Sequence, residues 1–461
     1  MPQPPSIAFM LAAPSSGSGK TIAALLFSYK LRKAGLTLQT FKVGPDFIDP
    51  LHLSRVSGRP CIQLDRFFLD EDRIKETFAR YSEGAGAVLV EGTMGLFDGS
   101  LGGKSDTSSA AIAKLLGLGV ILVVDVAKMS RSTSALLYGF ACYDPEVRLM
   151  GSVLNRVAGE RHAEAILKEV ESRLQIPILG TIPKLSDPPI LERHLGLHLA
   201  DESDYGFLET LSPFVRFPEN IEASPYSILQ PLFPGLQERP RTFPKPKFRV
   251  GVALDEAFLF YYEENFAFLK EIGIELVPFS PLKSPHLPDG LDGLYLGGGY
   301  PELFAEDLSR NETMMKEIAG FASSGRPVYA ECGGMALLAR QLAVKGKRYP
   351  MAGILDVVVE FPSAFKRMGY RRVRLRQDCM VGKAGDKLLG HEFHYSGLSD
   401  EVKEAAAPYE LFDSSGGMLG YEGLVQKNVL ASYVHLYFRA TEHMKTAFLR
   451  VLEGNASKHR G

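Results

Sequence analysis

Between residues 6 and about 182 the chain alternates between two kinds of segment, and few folds accept such an alternation. Short β-rich apolar runs ("SIAFMLAA", "LTLQTFKV", "AVLVEG", "GVILVVDV", "RLMGSVLN", "IPILGTI") are separated by stretches such as "KTIAALLFSYKLRKAG" and "ERHAEAILKEVESRL", whose apolar residues recur at helical spacing. A strand that is apolar on both faces needs a covering layer on each side, and amphipathic helices between strands supply one. The pattern predicts a doubly wound, mostly parallel α/β sheet.

Regularity fades after residue 205, and the segment 205–247 carries Pro213, Pro218, Pro225, Pro231, Pro234, Pro240, Pro244 and Pro246. Proline fixes φ and removes a backbone donor, so this density opposes both helix and ladder. It predicts a linker over 205–247 between domains at 1–204 and 248–461. A second α/β pattern then runs through "FRVGVALD", "IELVPFS", "DGLYLGGG", "RPVYAECGG" and "VLASYVHLYF".

Composition narrows the partners. With 52 basic against 54 acidic residues in 461, no global field favours nucleic acid or an anionic membrane, so neither is expected as a partner. No run of 18 apolar residues offers a membrane span. Cys61, Cys142, Cys332 and Cys379 form no CxxC pair, which argues against a zinc ribbon or a disulfide framework and predicts a reducing, cytoplasmic home.

Two motifs carry chemistry. "APSSGSGKT" ends in GK[ST] between an apolar strand and a helix, the context of a phosphate-binding loop. Backbone N–H groups of Gly17, Ser18, Gly19 and Lys20 would surround phosphates, with Lys20 on the terminal ones and the Thr21 hydroxyl on Mg²⁺. Pro14 departs from the pattern, standing where its first glycine belongs. ATP chemistry needs charge neutralisation first, which makes nearby carboxylates metal ligands or substrate-positioning groups rather than general acids. Glu91 at the end of "AVLVEG" and Asp46 in "KVGPDFIDP" are the expected Mg²⁺ ligands besides Thr21. Asp49 and Asp98 are expected to position the substrate, with a plain turn-capping role equally open for Asp98.

The second motif is "RPVYAECGGMALLAR". "PVYAE" predicts a strand and "MALLARQLA" a helix, so Cys332 would occupy the sharp turn of a nucleophile elbow. The helix N-terminus would lower its pKa. Gly333 could donate its N–H to an oxyanion, and Gly298 and Gly299 of "LYLGGGYPE" could bring bare backbone to the same intermediate. His435, at the end of the strand predicted from "VLASYVHLYF", is the candidate base, although alone it would read as a core histidine.

Together, "ECGG", "GGGYPE", "HEFHYS" and "ASYVHLYF" resemble the class I glutamine amidotransferase domain of the cobyrinic/cobyric acid synthase type. "APSSGSGKT", "KVGPDFIDP" and "VEGTMGLFDG" are similar to the ATP-binding half of the cobyrinic acid a,c-diamide synthase family. The resemblance implies Cys332 as nucleophile and His435 as its activator. Class I enzymes at large have a His-x-Glu pair, but Tyr437 stands at the Glu position here, and the third member is left unassigned. The resemblance further implies ATP and L-glutamine as co-substrates and a tetrapyrrole polycarboxylate amidated at its a and c acetates. It also implies that Asn155 reads the adenine edge, with a turn role equally open.

Two other readings stand beside this one. Nickel-sirohydrochlorin is the alternative substrate. A ParA/MinD-like ATPase switch is the rival from another class, but the loop has Ser15 and Ser16 where that group has its early lysine, and a switch gives Cys332 nothing to do. His391 and His394 do not make HExxH and are expected to be structural, while Arg372, Arg374 and Arg376 are expected on a solvated strand face. A homodimer is the expected assembly if the chain is not monomeric.

Overall fold

The computed structural model describes residues 7–99, 106–185, 192–193, 196–197, 205–217, 243–362, 367–399, 402, 404–441 and 443–459. The chain divides into two compact units, Met1–Glu238 and Arg239–Gly461.

The first unit is built on seven strands: β1 (Ile7–Ala12), β2 (Leu38–Val43), β3 (Ile62–Leu64), β4 (Ala87–Glu91), β5 (Gly119–Asp125), β6 (Leu149–Val157) and β7 (Ile178–Pro183). They lie in the order β3-β2-β4-β1-β5-β6-β7, every pair parallel. Consecutive apolar residues suit this sheet because both faces are covered: Phe9, Met10 and Leu11 are all fully buried. Helix α1 (Lys20–Lys33) buries Ala23, Ala24, Phe27 and Leu31 and ends in Lys30, Arg32 and Lys33, which suit the negative end of its dipole. The chain steps outward from β1 to β2 and β3, then crosses back over β1 from β4 to β5. This reversal of strand order gathers the loops after β1, β2 and β4 at one carboxyl edge, where open α/β sheets bind ligands.

The first core extends past the expected boundary at 204. Helix α2 (Phe207–Leu211) buries Leu208 and Leu211 with Phe9 and Phe27, and Lys30 Nζ donates to the Val215 carbonyl at 2.5 Å. Pro213 sits at the start of a 3₁₀ turn, where a missing N–H costs nothing. Of the expected linker, residues 218–242 lie outside the described residues.

The second unit contains β8 (Phe248–Ala253), β9 (Ile274–Phe279), β10 (Gly293–Leu296), β11 (Val328–Glu331), β12 (Arg367–Leu375), β13 (Lys387–His394), β14 (Leu424–Gln426), β15 (Val429–Ser432) and β16 (His435–Leu436). Its main sheet runs β9-β8-β10-β11-β15-β14, parallel except at the last pair. An antiparallel sheet in the same unit places β12, β13 and β16 side by side.

Two expected elements differ. The helix read from "MALLARQLA" is only α3 (Gly333–Leu338), and Ala339 begins a strand, Ala339–Val344, that pairs with Leu355–Phe361. The strand read from "VLASYVHLYF" breaks after Ser432, and the chain rejoins the antiparallel sheet with His435 opposite His391. Among the described residues no helix is long and apolar enough to cross a membrane.

Candidate active site

At the carboxyl edge of β1, Gly17 and Gly19 take φ of 77° and 92°, a region that strains any residue with a Cβ. A Cβ on Gly19 would also come within 2.1 Å of Asn155 Nδ2. That nitrogen donates to the Ser18 carbonyl at 2.9 Å, so Asn155, whose adenine role the sequence left open, braces the loop from β6. Lys20 Nζ donates to the carbonyls of Met94 (2.6 Å) and Ser15 (3.4 Å). Burial, with help from Lys42, lowers its pKa to about 8.

Behind the loop stands a group that the sequence reading passed over. Lys42 Nζ, on β2, lies 2.6 Å from Asp49 Oδ2, 2.9 Å from Glu91 Oε1 and 4.0 Å from Asp46 Oδ2. Burial disfavours this ammonium, but Asp49, Glu91 and Asp46 outweigh it and push the Lys42 pKa up. Burial likewise works against the Asp49 carboxylate, which Lys42 nevertheless holds below its usual range. Glu91 is raised by burial, and Asp46 is raised to about 7 by burial and by Asp49. The signal available in the sequence was a lysine inside a strand otherwise fit for full burial.

The expected metal ligands do not all point at one place. Asp46 Oδ1 accepts from the amides of Ile48 (2.8 Å) and Asp49 (3.2 Å), capping the turn that follows. Asp98 Oδ2 accepts from the Gly95 amide at 3.1 Å, the turn role left open for it. Thr21 Oγ1 donates to Glu91 Oε1 at 2.9 Å. Among the described residues no three His, Cys, Asp or Glu side chains are grouped to hold a metal ion. Glu91 Oε2 is nevertheless buried without a hydrogen-bond partner among them. An unpartnered carboxylate oxygen beside a hydroxyl fits Mg²⁺, which takes few protein ligands and completes its shell from phosphate and water.

In the second unit Cys332 takes φ 46° and ψ −101°, a conformation rare for a residue with a side chain. The turn is held by its own amide, donating to the Ser432 carbonyl at 2.7 Å, and by its carbonyl, accepting from the Met335 amide at 3.0 Å. Close backbone approach explains the glycines. A Cβ on Gly334 would meet the Leu296 carbonyl oxygen at 2.1 Å, and one on Gly333 would lie 3.1 Å from the Gly299 nitrogen. A Cβ on Gly298 would lie 2.4 Å from His435 Cε1 and 3.0 Å from its Nε2. The elbow, the glycine loop and the histidine therefore converge.

The expected low thiol pKa is not found. Burial, followed by the Glu302 charge, pushes Cys332 up, and α3 has only 6 residues to oppose it. Burial and the neighbouring His391 and His394 lower His435 to about 3, so its imidazole is neutral with a lone pair free for a proton, although the same burial weakens it as a base. His394 stacks on Tyr433 with ring centroids 3.8 Å apart. Arg374 pairs with Glu410, and Arg376 lies over the Tyr421 ring. A second residue missed in the sequence is Glu331, a carboxylate buried at the end of β11.

Residues 9–194 match the CobQ/CobB/MinD/ParA nucleotide binding domain, and residues 249–443 match the CobB/CobQ-like glutamine amidotransferase domain. The cobyrinate a,c-diamide synthase of Syntrophotalea carbinolica is 37% identical over 459 residues, covering 97% of this chain and 99% of that protein. The chain belongs to the cobyrinate a,c-diamide synthase family. Members from Caldanaerobacter subterraneus subsp. tengcongensis (38% identity, 93% of this chain, 94% of that protein) and Listeria monocytogenes (37%, 93% and 96%) are similarly related. The nucleotide-binding match alone would admit a MinD/ParA-like switch. The amidotransferase unit and the near full-length relatives place the chain among the cobyrinate a,c-diamide synthases instead.

Proposed function

We propose that the chain amidates the a and c acetate carboxylates of cobyrinic acid, using glutamine as nitrogen donor and ATP to activate each acid. The observation that carries the reading is Cys332 in a strained elbow whose Gly333 packs on the Gly298–Gly299 backbone that His435 also meets, on the same chain as a phosphate-binding loop flanked by carboxylates.

At the thiol site, His435 takes the Cys332 proton as sulfur attacks the glutamine amide carbon. The amides of Gly333 and of the Gly298–Gly299 segment receive the developing oxyanion. Collapse returns the proton to nitrogen and expels ammonia, leaving a thioester that water hydrolyses to glutamate and free thiol. At the loop, the substrate carboxylate attacks the γ-phosphorus of ATP, giving an acyl phosphate and ADP; ammonia then displaces phosphate and forms the amide. Thr21 and Glu91 would hold Mg²⁺, which when bound neutralises phosphate charge. Lys20 would bind the terminal phosphates, and Asp49, held ionised by Lys42, is the group proposed to position the substrate.

Mass spectrometry of the product from cobyrinic acid, glutamine and ATP tests this. Two successive replacements of hydroxyl by amide are expected. Turnover of nickel-sirohydrochlorin in a parallel reaction, with cobyrinic acid left unchanged, would overturn the substrate assignment.

A further inference from the structure

The thiol site lacks an acid at the position where the wider class carries one. Tyr437 stands there, its ring packed edge-on against Tyr262 at 5.2 Å. We propose that Glu331, the residue immediately before the nucleophile, positions His435 in place of that acid.

Glu331 is 1% exposed, and its carboxylate is surrounded by donors. Oε1 accepts from the Tyr329 hydroxyl at 2.7 Å and the Leu436 amide at 2.9 Å; Oε2 accepts from the Tyr295 hydroxyl at 2.9 Å and lies 3.7 Å from His435 Nδ1. The Leu436 amide is the one directly after His435. One oxygen therefore anchors the backbone of β16 while the other faces the imidazole. The ring nitrogens divide accordingly, with Nε2 toward the glycine loop and Nδ1 toward Glu331. At 3.7 Å the last contact is wider than a hydrogen bond, and catalytic contacts of this kind tighten when substrate fills the site.

The consequence is a tautomer. With Nδ1–H directed at Glu331, Nε2 is the lone-pair nitrogen that faces the reaction, and the imidazolium formed on taking the thiol proton meets a carboxylate. Other groups around the pair are Tyr261, Tyr295, Tyr329, Tyr409 and Cys332 on the Glu331 side, with His391, His394 and Glu392 on the His435 side. Burial raises the Glu331 pKa to about 7, so its protonation falls within a measurable pH range.

The inference rests on the glutaminase reading of this unit, and the test separates the two. In the full chain, Glu331→Gln can keep the Tyr329 and Leu436 contacts through its remaining oxygen. Its glutamine-dependent kcat is expected to fall about 100-fold, with KM for glutamine within threefold of wild type. Amidation from ammonium should be unchanged. The acid limb near pH 7 in kcat/KM should vanish in Glu331→Gln and persist in Glu331→Asp, which regains part of the rate. A Glu331→Gln enzyme with the wild-type glutamine rate, or one that keeps the limb near pH 7, overturns the proposal. So does a loss in Glu331→Asp as large as in Glu331→Gln together with a lowered Tm, which makes Glu331 a structural acid. A wild-type enzyme without glutaminase activity removes the reading beneath it as well.

Discussion

Lys42 shows how one side chain sets the state of a site. Its ammonium is the buried cation shared by Asp49 and Glu91, with Asp46 at 4.0 Å. Removing one partner from such a group leaves uncompensated buried charge, at a cost of about 3–5 kcal/mol. Lys42→Met is therefore expected to lower Tm by several degrees and to abolish amidation from either nitrogen source. Adding Glu91→Gln should recover part of the lost stability, because the two changes act on one contact. Thermal melts of the single and double variants check this; strict additivity would mean that the ion pair contributes nothing. Cys332→Ala should lose glutamine-dependent amidation while ammonium still supports it, and equal loss of both would make the thiol structural. Cys332 was legible because the glycines beside it have few other uses in a strand-to-helix turn. Lys42 was not legible, because its partners lie 7 and 49 positions along the chain and no local pattern announces them.

Elements were legible in proportion to their periodicity. The parallel strands of the first unit stand out because a run apolar on both faces has few other homes. The short α3 could not be told from a longer helix, since "MALLARQLA" is apolar without a period that distinguishes helix from strand. The break between β15 and β16 was equally hidden, because it depends on a distant carboxylate. Glu422 accepts from the Ser432 hydroxyl at 2.6 Å and the Tyr433 amide at 2.7 Å, fixing the place where the chain leaves one sheet for the other. Burial, with Glu392 nearby, raises the Glu422 pKa to about 7 from its ordinary 4.5. The folded state therefore holds a proton that the unfolded state has released between those values. The stabilisation from that proton is fully present below pH 4.5 and is lost as pH rises through 7, an effect on the order of 3 kcal/mol. Glu331 and Asp46 titrate in the same sense, while the lowered His391 and His435 act in the opposite one, so the informative quantity is the difference between variant and wild type. Glu422→Gln is expected to gain Tm relative to wild type on going from pH 5 to pH 8. Parallel melting curves at the two pH values would count against the assignment.

At the scale of the whole chain, the two chemistries sit in units with separate cores, so each can be disabled alone. Glu91→Gln should stop amidation from glutamine and from ammonium alike while leaving glutamine hydrolysis intact, the converse of Cys332→Ala. Mixing these variants asks how nitrogen passes between the chemistries. In the mixture, ammonia freed by one chain must cross solvent to reach another. In wild type, an acyl phosphate exposed to water hydrolyses unless nitrogen arrives promptly, which favours transfer within one molecule. An ammonia-scavenging system of glutamate dehydrogenase, 2-oxoglutarate and reduced nicotinamide cofactor should therefore abolish product in the mixture and leave wild-type turnover of glutamine within about twofold of its unscavenged rate. Equal suppression of both reactions would mean that ammonia equilibrates with solvent before use, and that the two sites are joined by covalent linkage alone.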